Sequence, residues 1–279
     1  MVATNKILFT ILAIGASSSA NAADLPMPMP SSPPIPVAVP LAEFSGWYLR
    51  GDVGVGAVQG SNFQSTILPG YANGAVVLPN GPIVPAYAAI GDSGLFDFGF
   101  GYQFNRWLRG DLTGEYRSEA TYRRGISVAW WNPDGSVGTN FDVYSAGLST
   151  ALFMANGYAD IGTWLGATPY VHAGLGFASH NFRGLNDNGG AVAVNASPTN
   201  LAWSLGAGVA LSITPNFKID VSYRYIDMGG IASNRLDYCL NQPCFSERQS
   251  FHVASNDIRL GFRYLFAEPV VALPVIAKY

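Results

Sequence analysis

Residues 256–266, N-D-I-R-L-G-F-R-Y-L-F, alternate without a break. Ile258, Leu260, Phe262, Tyr264 and Phe266 share one parity, and Asp257, Arg259, Gly261, Arg263 and Leu265 the other. Successive side chains of a strand point to opposite faces, so one face here is bulky and apolar and the other charged or very small. The same pattern recurs upstream and predicts strands over about 47–58, 94–104, 107–117, 142–156, 169–178, 201–213 and 217–225. In the first, Trp47, Leu49, Val53 and Val55 oppose Tyr48, Arg50 and Asp52; in the second, Phe96, Phe98 and Phe100 oppose Asp97, Gly99 and Gly101. In 142–156 the outward row is read as Tyr144, Ala146, Leu148, Leu152 and Met154. Short connections at 105–106, 157–168 and 214–216 alternate with long ones at 59–93, 118–141, 179–200 and 227–255. Tight turns at one end and long loops at the other are the mark of an up-and-down barrel.

The polar faces decide which side meets which solvent. They carry Arg50, Arg109, Arg117, Lys218, Arg224, Arg259 and Arg263 against Asp52, Asp97, Asp111, Glu115, Asp220 and Asp257. A soluble lipocalin-like barrel would turn these faces to water and its apolar faces inward. Across all 279 residues, however, only 12% are charged, and the basic residues are 12 Arg and 3 Lys. That is a poor water-facing surface, whereas Arg suits ion pairs in confined, partly dry places. The pattern therefore predicts an all-β fold: an eight-stranded antiparallel up-and-down transmembrane β-barrel with four long extracellular loops. Its charges form an ion-pair network in a lumen that side chains fill.

The flanks fit export. Lys6, the apolar run 7–16 and Ala20-Asn21-Ala22 predict a signal peptide over 1–22. Seven prolines in 26–40 make 23–43 a periplasmic linker, leaving the barrel at 44–266 and an extension at 267–279. Cys239 and Cys244 fit an oxidising compartment and a small disulfide-closed loop, and they lack the further ligands of a zinc site. The Gly-x-Gly pairs lie inside strands with no helix to follow, which excludes a dinucleotide fingerprint. His172 is assigned to the lumen; Ser179, His180 and His252, at loop bases, show no triad spacing. Tyr122, Arg123, Arg124, Trp130 and Trp131 gather in the second long loop. They are read as contacts to anionic headgroups or, alternatively, to a flat anionic ligand such as haemin. Net charge −3 points away from nucleic acid.

Several segments carry a family resemblance: F-S-G-W-Y-L-R-G-D-V-G-V-G (44–56), G-Y-Q-F-N-R-W-L-R-G-D (101–111), M-A-N-G-Y-A-D-I-G-T-W (154–164), T-P-Y-V-H-A-G-L-G-F-A (168–178), I-D-V-S-Y-R-Y-I-D-M-G (219–229) and D-I-R-L-G-F-R-Y-L-F (257–266). In that order they resemble the alphaproteobacterial outer-membrane surface-antigen barrels, a branch of the OmpA-like superfamily that includes haemin-binding members. The resemblance implies a Gram-negative outer-membrane protein of structural or surface role. Expected partners are membrane lipid, lipopolysaccharide and the barrel-assembly machinery, which would read the aromatic-ended last strand. The family ends at that aromatic, whereas here 267–279 follow. The sequence is read as a monomeric, non-catalytic barrel without a required cofactor. Haemin or host-ligand binding is the alternative, and a small-solute pore the third reading.

Overall fold

A computed structural model describes residues 45–68, 70–72, 75–77, 83–131, 135–238 and 245–266. The predicted signal peptide, linker and C-terminal extension lie outside these residues, as do Cys239 and Cys244. The described secondary structure is entirely β. Eight long strands make the wall: β1 (Gly46–Leu68), β5 (Ser93–Gln103), β6 (Leu108–Trp131), β7 (Val137–Asp160), β8 (Ala167–Asp187), β9 (Thr199–Ser212), β10 (Phe217–Ala232) and β12 (Phe245–Leu265). Between β1 and β5 come β2 (Gly70–Ala72), β3 (Ala75–Val77) and β4 (Ile83–Ile90); β11 (Leu236–Tyr238) precedes β12.

Each wall strand pairs antiparallel with the next, and β12 returns to β1, from Tyr48 opposite Leu265 to Leu68 opposite Ser246. The sheet is thus closed. At the seam, the Phe266 amide donates to the Trp47 carbonyl at 2.9 Å, and the Leu265 amide to the Asn216 carbonyl at 2.8 Å. The turns at this end are short for local reasons. Asn105 Oδ1 accepts the Trp107 and Leu108 amides at 2.8 and 2.9 Å, and Thr214 Oγ1 accepts the Phe217 amide at 2.9 Å. These side chains replace backbone partners as the chain reverses.

Around the half of the wall nearest these turns, exposed residues are large and apolar: Trp47, Phe96, Phe98, Leu112, Phe153, Leu175, Leu205, Val221, Ile258 and Leu260 among them. Phe98 is 63% exposed and Phe153 68%, while Arg109 and Asp257 are at 0%. A sheet that hides its charges and presents its phenyl rings is built for a hydrocarbon exterior.

Above this belt the polarity inverts. Tyr122, Ile126, Tyr144, Leu148, Phe182, Ile226, Met228, Ile231, Phe251 and Val253 pack inside as a continuous apolar cluster. Much of what was expected to be loop is therefore wall: β6 and β7 pair continuously from Leu108–Ala159 up to Trp131–Val137. The reason is an interior apolar enough to hold the sheet together in water. Irregularities mark the change: Ser61/Gln64 in the β1–β12 pairing, Arg117/Ala120 in β6–β7, Ser145/Gly147 in β7–β8 and Asp227/Gly229 in β10–β12. On β6, Arg109, Asp111, Thr113, Glu115 and Arg117 face inward; beyond the bulge Ala120, Tyr122, Arg124 and Ile126 do. One extra residue has switched the parity. Asn62, at φ 52°, and Gly229, at φ 83°, take the left-handed conformation that such bulges use.

The expected facing of 142–156 is corrected. Tyr144, Ala146, Leu148, Leu152 and Met154 are all buried inside, and Phe153 points out. The large apolar row of β7 belongs to the inner cluster. Its lipid face is small apart from Phe153, with Ala151, Ala155 and Gly157.

Candidate functional site

The lumen is built in storeys. Nearest the short turns, Arg50 Nη2 lies 2.6 Å from Asp52 Oδ2, and its Nη1 lies 3.1 Å from Asp111 Oδ2. Arg50 also donates to the Tyr158 hydroxyl. Asp111 is further held by Tyr48 (3.0 Å) and Asn156 (2.8 Å). Arg109 donates from Nε to Asp160 at 3.2 Å, and its guanidinium sits 3.9 Å above the Tyr158 ring and 4.5 Å from that of Tyr170. Those rings face the two Arg109 amino groups that lack a hydrogen-bond acceptor. Arg263 donates to Asp220 at 3.3 Å, and Lys218 is half-buried beside this storey.

One storey up, Asp257 accepts from two arginines. Arg117 reaches it with both Nη atoms (3.1 and 2.5 Å), and Arg224 with Nε and Nη2 (3.0 and 2.7 Å). Glu115 accepts from the same pair, at 2.9 Å from Arg117 Nε and 2.7 Å from Arg224 Nη2. Arg259 bridges this storey to the one below: its Nη2 contacts Asp52 at 2.9 Å, Asp97 more closely, and stands 3.9 Å from Glu115. Gly56 leaves the space. A Cβ there would sit 2.6 Å from Asp257 Oδ1 and 2.9 Å from Arg117 Nη1. Asn156, Tyr158 and Asp160 were not assigned to the lumen from sequence, whereas Tyr48, read on the polar face of the first strand, lines it, as does Tyr170. The signal for those on β7 was the even parity of Asn156, Tyr158 and Asp160, hidden by the reversed facing of that strand. Tyr158 is buried inside.

The second-loop cluster is corrected. All five residues lie on β6, and Tyr122 and Arg124 point into the barrel while Arg123 points out. Arg124 Nη1 donates to Gln249, Gln249 Nε2 donates to Glu247 at 2.5 Å, and Tyr144 donates to Glu247 at 2.6 Å. Tyr122 stacks on Phe251 at 4.9 Å between centroids. No common surface joins Tyr122, Arg123 and Arg124. The backbone of Trp130 and Trp131 ends the strand.

With this geometry in place, comparison with known proteins is decisive on one point. The family described as "Outer membrane protein beta-barrel domain" matches residues 9–266. The chain belongs to this outer-membrane barrel family. Among its relatives is the outer membrane protein PagN of Salmonella typhimurium, 26% identical over 79% of this chain and 90% of PagN. An uncharacterised protein of Brucella suis biovar 1 is 30% identical over 76% of this chain and 77% of its own. Among solved structures, Neisserial surface protein A is similar at a TM-score of 0.45 and 16% identity, over 80% of this chain and 98% of that one. The protein is thus an outer-membrane barrel in a lipid environment, as the resemblance implied.

Within this outer-membrane barrel the histidines have structural neighbours. His172 is buried in the lumen, 5.3 Å from the Tyr158 ring. His180 bonds Thr150 Oγ1 at 2.9 Å and the Met228 carbonyl at 3.0 Å. Ser179 lies on the opposite face, bonded to Thr199 at 3.4 Å. His252 pairs with Asp227 at 2.9 Å on β12 and β10. Among the described residues no group of three or more His, Cys, Asp or Glu is placed to hold a metal.

Proposed function

We propose that this barrel is a non-catalytic, monomeric structural and surface protein whose lumen is closed to solutes. The observation that carries the reading is the buried ionic column: Arg50, Arg117, Arg224 and Arg259 reach across the bore to carboxylates on strands that are not their neighbours, and Arg263 pairs with Asp220 on the adjacent strand. An eight-stranded interior is just wide enough for side chains to fill. A permeating ion would have to part buried pairs, which costs several kcal/mol each. The surface role is supported by wall height. The 24 residues of β6 and of β7, at about 3.3 Å each and a tilt of about 40°, rise roughly 60 Å, against an apolar band of about 25 Å. More than half of that wall therefore stands in the extracellular space. Lipid and lipopolysaccharide surround the belt, and the assembly machinery recognises β12.

Planar-bilayer recording tests the closed lumen. The expected record has no steady conductance step, and haemin added to the folded protein gives no saturable Soret shift. Long-lived steps of constant amplitude would establish the pore instead, and a saturable shift the haemin reading.

A further inference from the structure

The outer wall above the belt carries an open polar cleft of about 650 Å³ across β6, β7 and β8. Its lining includes Glu119, Thr121, Arg123, Ser145, Arg183 and Asn195. The register explains their convergence: Thr121, Gly147 and Arg183 lie in one row, and Arg123, Ser145 and Asn186 in the next. From strand spacing and rise, the Cα atoms of Arg123 and Arg183 are about 12 Å apart. Gly147 forms the floor, because a Cβ there would stand 2.6 Å from Glu119 Oε2. Glu119 in turn fixes Arg183 through its Nε at 2.5 Å. Arg123 is exposed and has no ion-pair partner among the described residues, so the cleft holds one positive charge in excess. Beside it, one outward step along β6, Tyr87 and Phe141 stand over Gly125 with centroids 6.5 Å apart, about half exposed.

Two guanidinium groups, hydroxyl and amide side chains and an aromatic shelf match a phosphorylated sugar. The guanidinium fork suits the phosphate, the polar groups suit hydroxyls, and the rings suit an apolar sugar face. Height selects its source. On β8, Arg183 lies six residues beyond Phe177, an exposed belt residue. At about 3.3 Å per residue and a tilt of about 40° that is about 15 Å above it. Polar headgroups occupy only about 5–7 Å beyond the hydrocarbon. The cleft is therefore above the headgroup layer, at the level of sugars attached to outer-leaflet glycolipid.

We infer that the Arg123–Arg183 cleft binds the phosphorylated core sugars of an outer-leaflet glycolipid. This rests on the outer-membrane surface reading above, and names a partner site for it. The test uses the full folded chain in detergent micelles, with affinities measured by native mass spectrometry. The probes are core-bearing rough lipopolysaccharide, the same material dephosphorylated, lipid A alone, and free glucose 6-phosphate. Core-bearing lipopolysaccharide binds best, and Arg123→Glu weakens it about tenfold or more, as expected for a lost charge-assisted contact. Arg123→Lys restores part of that loss. Unchanged affinity for Arg123→Glu, or equal binding of dephosphorylated material or of lipid A, overturns the assignment. Equal affinity for free glucose 6-phosphate overturns the glycolipid source. Unheated gel mobility is read on each sample, so that loss of the barrel itself is distinguished from loss of the site.

Discussion

Replacing Asp257 by Asn removes one negative charge from the most connected part of the lumen. Asp257 is at 0% exposure and accepts from Arg117, Arg224 and Ser255. The set Arg117, Arg224, Glu115 and Asp257 is neutral; without the carboxylate it carries a net +1 in the bore. Breaking a buried pair by removing one partner costs about 3–5 kcal/mol. Glu115 stays within 2.9 Å of Arg117 and 2.7 Å of Arg224, so the lower end, about 3 kcal/mol, is expected. Adding Arg117→Met restores neutrality, and the double variant should recover about 1 kcal/mol or more relative to additive losses. Reversible urea unfolding in phospholipid vesicles, followed by tryptophan fluorescence and gel mobility, measures both. The control is Arg123→Ala, an exposed site expected to stay within about 0.5 kcal/mol. Equal midpoints for Asp257→Asn and the control, or strict additivity in the double variant, would refute the filled-lumen account.

Two further outcomes follow from the ends of the barrel. Burial, together with Glu247 and Asp187, raises Asp142 to about 6. A carboxyl whose folded value is raised stabilises the fold while protonated and loses that contribution as pH rises through about 6. Asp142→Asn should therefore raise the unfolding free energy at pH 8 by no more than about 1 kcal/mol, because the site is partly solvated, and match wild type near pH 4. A benefit that grows toward low pH would contradict this sign. At the other end, Phe266→Asp places a carboxylate where the seam meets the membrane boundary. Its folding cost is about 1 kcal/mol or less. The folded fraction in outer-membrane preparations should nevertheless fall, and an unchanged fraction would remove Phe266 from the assembly signal.

The belt half of the fold is legible because lipid on one side and charge on the other force strict alternation. Leu201 to Ile213 and Ile258 to Phe266 read the same way in sequence and in structure. The lumen charges are legible for the same reason, since an Arg or Asp in a lipid-facing row would be costly. The upper half is not, because there a water-facing wall around an apolar core reverses the rule. Arg123 shares the odd parity of Arg117, yet the bulge between Arg117 and Ala120 sends it outward and turns Tyr122 and Arg124 in. A bulge of this kind depends on pairing with a neighbouring strand, which no local pattern reports. On β7 the sequence offered Leu152 and Met154 against Phe153. Only the assembled interior shows which belongs inside.

The inversion of polarity across the β6 bulge is tested most directly by a nitroxide scan from Leu112 to Arg124 in the folded, lipid-reconstituted protein. Accessibility is read to oxygen, which partitions into lipid, and to a water-soluble nickel complex. Leu112, Gly114 and Tyr116 should be open to oxygen; Thr121 and Arg123 open to nickel; and Ala120, Tyr122 and Arg124 closed to both. An alternation that runs through Ser118 and Glu119 without changing parity, with Tyr122 and Arg124 open to nickel and Arg123 closed, would contradict the account.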